Sequence, residues 1–268
     1  MELAVQQVRV GDATVTYRSG GRGPTLVLLH GIGSGAASFQ PTIERFKDRF
    51  HVIAWNAPGY GGSTPLAQDA PMPREYAERL NGFLDALGTS EVFLLGHSLG
   101  ALIAGIYAAH WPLRVKSLLL ASAALGHARL PTEVRTKRLQ DRLGDIAALG
   151  AAGMAEKRAP NLLVKGASPE KVEQVRRVMA ELDPVGYGQA VRMLSQGDLP
   201  SEAPAIKAPT LVVCGAEDLT TTPATCRELA DGIPHGRYLE VPAAAHAVYV
   251  DAPEAFWSAL ADHFKEAT

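Results

Sequence analysis

The 268 residues spell out an α/β protein, with a mostly parallel sheet of eight strands covered by helices on both faces and a helical segment inserted after the sixth strand. Three features lead there. Runs such as Thr25–Leu29, Val92–Leu95 and Thr210–Cys214 are of strand length and apolar throughout or nearly so, as strands buried on both faces of a parallel sheet must be. They alternate with segments whose apolar residues recur every three or four positions, the pattern of helices laid against a sheet. One long interval, 125–203, has helical stripes and no strand.

In chain order, residues 5–19 alternate as two short strands with Gly11-Asp12 as the turn between them. Thr25–Leu29 is the third strand and runs into the glycine-rich stretch His30-Gly31-Ile32-Gly33-Ser34-Gly35. Phe39, Ile43, Phe46 and Phe50 then form one helical stripe. His51–Trp55 is a strand ending in the turn cluster Asn56-Ala57-Pro58-Gly59-Tyr60-Gly61-Gly62-Ser63. Tyr76, Leu80, Phe83, Leu84 and Leu87 share a helix face that stops at Gly88. Val92–Leu95 begins the next strand, a helix follows as far as Trp111-Pro112, and Val115–Ala121 is the sixth strand. Leu139, Leu143 and Ile146, then Val172, Val175, Met179 and Leu182, mark helices in the insertion, punctuated by Pro131, Pro160, Pro169 and Pro184. Thr210–Cys214, a helix from Pro223, a strand at Tyr238–Val241 and a helix with Phe256, Leu260 and Phe264 on one face complete the chain.

Composition narrows the function classes. Hydrophobic residues at 47% and charged residues at 20% supply a sizeable core, and a net charge of −2 gives no basic field for nucleic acid. Cys214 and Cys226 have neither zinc-type nor redox spacing and read as free thiols of a reducing compartment. The stretch Met1–Gln7 lacks a basic region leading into a long apolar run, and no segment has the length of a membrane helix. These features point to a cytoplasmic protein, a monomer or homodimer, without a membrane partner.

The chemistry centres on Gly96-His97-Ser98-Leu99-Gly100. Strand, sharp turn and helix follow one another there, which is the setting of a nucleophile elbow. Glycines on both sides allow strand and helix to approach, Ser98 is pushed out over the strand end, and the Leu99 N–H at the helix start is free to meet an anion. A serine hydroxyl needs a base, and the base an orienting acid. His246, just beyond the last strand, fits as the base; Asp218, in Gly215-Ala216-Glu217-Asp218 after the preceding strand, fits as the acid. Glu217 is its rival, and Asp218 is favoured for its shorter arm further into the turn. His97 is locked into the elbow facing away from the Ser98 hydroxyl, and His110 and His263 read as helix-surface residues. A second oxyanion donor is expected from the loop after the third strand, at the Ile32 N–H, with Gly31 and Gly33 letting the backbone come close.

These segments together resemble the α/β-hydrolase fold superfamily over essentially the whole chain. His30-Gly31, Pro58-Gly59-Tyr60-Gly61-Gly62-Ser63, Gly96-His97-Ser98-Leu99-Gly100, Gly215-Ala216-Glu217-Asp218 and His246 stand in family order; Asn56 departs from the aspartate that relatives often carry before the Pro-Gly turn. The resemblance implies Ser98 as nucleophile, His246 as general base and then acid, Asp218 as orienter, and a division into a core of 1–124 with 204–268 and a helical cap at 125–203. It implies a cofactor-free hydrolase of small to medium carboxylic esters or lactones, near small carboxylesterases and enol-lactonases. The alternatives are a carbon–carbon hydrolase of meta-cleavage products and a non-hydrolytic ligand-binding member. Against the former stand Ala247, where those enzymes usually place tryptophan, and an oxyanion loop that only partly echoes theirs. Within the cap, Tyr187, Arg192 and Met193 are candidate substrate contacts, Arg192 for a substrate carboxylate.

Overall fold

The computed structural model describes residues 3–265; Met1, Glu2 and residues 266–268 lie outside it. The sheet has eight strands, β1 (Gln6–Val10), β2 (Ala13–Gly20), β3 (Thr25–Leu29), β4 (His51–Trp55), β5 (Val92–His97), β6 (Val115–Ala121), β7 (Thr210–Gly215) and β8 (Gly236–Val241), in the order β1-β2-β4-β3-β5-β6-β7-β8. β1 and β2 form a hairpin, β2 runs antiparallel to β4, and every later pairing is parallel.

Strand alternation feeds two cores. Val27, Leu29, Ile53, Trp55, Leu94, Leu118 and Leu120 face one side of the sheet, where α2 (Pro73–Ala86), α3 (Leu99–His110) and, at β7, α8 (Pro223–Gly232) cover them. Leu26, Leu28, Val52, Ala54, Phe93, Leu95 and Leu119 face the other side, under α1 (Gln40–Phe46), the short α9 (Val248–Asp251) and α10 (Pro253–Lys265). This two-sided burial is why the strands read as unbroken apolar runs. On α10, Phe256, Leu260 and Phe264 are wholly buried, each stabilising the fold by about 1.5–3 kcal/mol of apolar transfer.

Between β6 and β7 the chain is helical: α4 (Thr132–Arg158), α5 (Pro169–Met179), α6 (Pro184–Gln196) and the single turn α7 (Leu199–Glu202). Prolines sit in the first turns of α5, α6 and α7, as the missing N–H allows, and Asp183 caps α6 by accepting from the Val185 and Gly186 N–H groups. α4 is two helical limbs joined at Gly150, whose φ of 63° and ψ of −179° break the helix.

Three expectations are corrected. Phe39 lies in a short 3₁₀ turn ahead of α1, Phe50 lies beyond α1, and Leu182 lies beyond α5; all three are still buried, so the stripes marked burial while overrunning the helices. His263 is not on the surface. It is on the inward face of α10, where its Nε2 lies 2.9 Å from both Ser117 Oγ and the Leu118 carbonyl, partners that make burial of the ring tolerable. His110, at the end of α3, is half-buried and paired with Glu202 at 3.2 Å.

The parallel register aligns the carboxyl ends of the strands. Leu29 is opposite Gly96, His97 opposite Ala121, Ala121 opposite Val213, and Gly215 opposite Val241. The loops after β3, β5, β7 and β8 therefore open on one edge of the sheet. The strand order reverses between β3 and β5, with β4 added on one side of β3 and β5 on the other, the position where open α/β sheets leave a crevice.

Candidate active site

Ser98 stands between β5 and α3 with φ 53° and ψ −115°, a conformation a non-glycine residue holds only at a cost of about 1–3 kcal/mol. Its surroundings enforce it. The Ser98 N–H donates to Ala121 O at 2.9 Å, and its carbonyl accepts from the Ala101, Leu102 and Ala124 N–H groups. A methyl group on Gly100 would sit 2.1 Å from the Leu29 carbonyl, and one on Gly96 would sit 2.3 Å from the Gly100 carbonyl, so only glycine permits this strand-to-helix approach.

The Ser98 hydroxyl lies 3.0 Å from His246 Nε2, and His246 Nδ1 lies 2.9 Å from Asp218 Oδ2. All three residues are buried. Asp218 Oδ1 accepts from the Thr220 and Thr221 N–H groups at 2.8 and 2.9 Å, and Oδ2 accepts from the Thr221 hydroxyl at 2.8 Å. Burial pushes the Asp218 pKa upward, but the bond to and positive potential of His246, with the Thr221 donors, outweigh it and leave it at about 2. A carboxylate at Nδ1 keeps the proton on that nitrogen and turns the Nε2 lone pair toward the serine. Glu217 is exposed and is no part of this row.

The loop after β3 is fixed as firmly. His30 Nδ1–H donates to the Gly31 carbonyl at 2.8 Å, while its Nε2 accepts from the Ala57 N–H at 3.1 Å. The Ser34 N–H also donates to the Gly31 carbonyl, and the Tyr60 hydroxyl donates to the Ile32 carbonyl at 3.0 Å. In a trans peptide the N–H points opposite the C=O, so gripping the Gly31 oxygen aims the Ile32 N–H away from that grip. Neither the Ile32 nor the Leu99 N–H has a partner among the described residues. Such donors at a helix start and a fixed loop can receive an oxyanion.

His97 has a part the sequence reading missed. Its Nε2–H donates to the His246 carbonyl at 2.9 Å, and its ring is 5.0 Å from those of His246 and Tyr249, so the elbow itself holds the histidine loop. Asp251 is a second anchor: Oδ2 accepts from the Ala245 N–H at 2.9 Å and from Val164 N–H of the helical insertion at 3.1 Å. Nothing in the sequence singled out Asp251.

His30 and His97 are both buried and neutral. Burial lowers His30 to about 4 against a smaller opposing bond to Gly31; burial and then the positive potential of His246 lower His97 to about 3. In the unfolded chain both bind a proton near pH 6.5, so between pH 6.5 and 4 the unfolded state holds more protons and stability falls as pH falls. At pH 5 the expected loss is about 2 kcal/mol for each ring. The urea midpoint should be clearly lower at pH 5.0 than at pH 7.5, and His97→Gln, which keeps a donor, should flatten the difference; equal midpoints for the wild type would contradict neutral burial.

Ser98 sits where two cavities meet, one of about 200 Å³ and one of about 550 Å³. Gly31, Gly33 and Tyr187 line the smaller one, Leu99 lines the larger, and Ile32 lines both. Arg192 and Met193 line neither: Arg192 reaches Asp69 at 3.6 Å, and Met193 is wholly buried in the core. Arg142 and Arg158 of α4 border both cavities instead. The sequence held a sign of Arg142, which sits beside Leu143 and one turn from Leu139 and Ile146, inside the inward stripe of α4.

Known proteins resemble this chain over most of its length. The chain is 30% identical over 248 residues to (E)-2-((N-methylformamido)methylene)succinate hydrolase of Acinetobacter baylyi, covering 91% of each protein. It is 27% identical over 264 residues to 3-oxoadipate enol-lactonase 2 of the same organism, again covering 91% of each. The enol-lactonase of Burkholderia xenovorans LB400 superposes with a TM-score of 0.88 at 25% identity, over 97% of this chain and 100% of that one. The family described as alpha/beta hydrolase fold matches residues 24–253, a span that holds the elbow, the loop after β3, Asp218 and His246 together, and the chain belongs to that family of hydrolases.

Proposed function

We propose that the protein is a serine hydrolase of small to medium carboxylic esters or lactones, working through an acyl-enzyme. The observation that carries the reading is the hydrogen-bonded row Ser98–His246–Asp218 at the junction of two cavities, beside two free backbone N–H groups. The Ser98 oxygen attacks the carbonyl carbon while His246 Nε2 takes the hydroxyl proton. The carbonyl oxygen becomes an oxyanion and accepts from the Ile32 and Leu99 N–H groups. His246 returns the proton to the leaving alkoxide, and water then repeats the sequence against the acyl-serine. Beyond the substrate and water, these steps use only groups of this chain. The similarity to enol-lactonases supports a lactone or ester as substrate.

Residues 125–203 act in this reading as a cap on a core of 1–124 and 204–268. Met154 of α4 and Val175 and Met179 of α5 line the smaller cavity together with Ser98 and give it apolar surface, suited to an aliphatic acyl group.

Phenylmethylsulfonyl fluoride tests the nucleophile directly. One equivalent should add to the protein, map to the peptide containing Ser98 and abolish hydrolysis of p-nitrophenyl butyrate in proportion to labelling. Turnover that survives full labelling, or a label on another residue, would sink the reading.

A further inference from the structure

Arg142 is a cation without a counter-charge among the described residues, at the place where substrate must bind. It borders both cavities that meet at Ser98 and is only partly exposed. Its one hydrogen-bond partner among the described residues is the Tyr187 hydroxyl, at 3.5 Å. The nearby carboxylates are committed elsewhere. Asp141 takes Lys137 on both its oxygens, and Asp145 takes both Lys157 and Arg158. Arg158, on the same wall, still has a buried Nε with no partner. The positive potential reaches across the larger cavity to His127, which burial and then Arg138 and Arg142 hold down to about 4.

We infer that the substrate carries a carboxylate at the far end of its acyl group and that Arg142, supported by Arg158, binds it. This rests on the serine-hydrolase reading above. A half-desolvated guanidinium with no acidic partner is costly, and a ligand anion offsets that cost with charge-assisted bonds. The fork of one guanidinium matches a carboxylate, and a monoanion balances the single charge that Arg142 leaves open. The cavity of about 200 Å³ that Ser98 and both arginines border is also lined by apolar Met154, Val175 and Met179. The two requirements together describe an aliphatic chain with a reactive carbonyl at one end and a carboxylate at the other. Arg142 is a specificity residue here, acting on binding and orientation.

Two p-nitrophenyl esters of matched length decide it: mono-p-nitrophenyl glutarate, with a terminal carboxylate, and p-nitrophenyl hexanoate, with none. The wild type should favour the glutarate ester at least tenfold in kcat/KM. Arg142→Gln should cut that preference about tenfold or more, the worth of one charge-assisted bond, chiefly through KM. Arg177→Gln, an exposed residue of α5 bordering neither cavity, should leave the preference as it is. Wild-type indifference to the carboxylate, or a preference unaltered by Arg142→Gln in a protein with native circular dichroism, overturns the inference. Its failure is separable from that of the serine reading, because hydrolysis persisting in Ser98→Ala refutes only the latter. If neither ester is cleaved, calorimetric titration of Ser98→Ala with glutarate still decides. Binding lost on adding Arg142→Gln supports the site, and absence of binding refutes it.

Discussion

Ser98→Ala should lower kcat/KM for p-nitrophenyl butyrate by about 10⁴-fold or more and leave the circular dichroism spectrum unaltered. The size follows from the arrangement. With Oγ gone, no atom stands 3.0 Å from His246 Nε2 to give up a proton, and the remaining oxyanion donors and binding surface supply only a residual acceleration over water. The fold should persist because the turn is held by main-chain bonds to Ala121, Ala101, Leu102 and Ala124, none of which involves the hydroxyl. Ser98→Gly sharpens the test. Alanine keeps a Cβ at φ 53° and keeps the strain, whereas glycine relieves it. The glycine variant should be as inactive as the alanine one and more stable than it by about 1 kcal/mol, read from urea midpoints. Equal activity of Ser98→Ala and wild type would end the serine reading, and equal stability of the two variants would deny that strain is stored at the elbow.

What could be read from the sequence divides along physical lines. Buried parallel strands must be apolar on both faces, so β3, β4 and β6 were legible to the residue from composition alone. The elbow was legible because glycine is required where a Cβ would meet a carbonyl at 2.1 Å, and such a demand leaves a mark in the sequence. Helix ends in the α1 and α5 regions were less legible, since Phe50 and Leu182 are buried from loops and periodicity registers burial, whatever backbone supplies it. Side-chain roles set by tertiary approach were hidden. His97, Thr221 and Asp251 serve the site through partners such as the His246 carbonyl and Val164, which no local pattern announces. Arg192 and Arg142 show the same limit. Both are arginines on helices of the insertion, and the turn of each helix decides that one meets Asp69 while the other borders the cavities.

Asp218→Asn should lower kcat by about 10⁴-fold, while Glu217→Gln should leave it within twofold of wild type. The His246 tautomer decides the outcome. Oδ1 of Asp218 accepts from the Thr220 and Thr221 N–H groups, and an asparagine will place its carbonyl oxygen there because its amide nitrogen cannot accept. The NH₂ group is thereby turned toward His246 Nδ1, the position Oδ2 now holds. An NH₂ group can only donate, so Nδ1 must become the acceptor and the ring proton must move to Nε2. A protonated Nε2 facing Ser98 cannot take the hydroxyl proton, and the base is lost with every heavy atom in place. Glu217 is exposed, and its backbone N–H to the Ala244 carbonyl survives substitution. The pH dependence separates this role from a merely structural one. The Asp218 pKa is lowered to about 2, so its charge stabilises the fold fully above pH 4, and that contribution is lost only as pH falls from 4 through 2. At pH 7 the asparagine variant gives up that stabilisation and should show a lower urea midpoint, yet combine a native spectrum with a collapsed kcat and a nearly unchanged KM. A variant that instead loses KM or folding in step with kcat would make Asp218 a brace for the turn, and Glu217→Gln matching Asp218→Asn in effect would move the orienting role to the neighbouring residue.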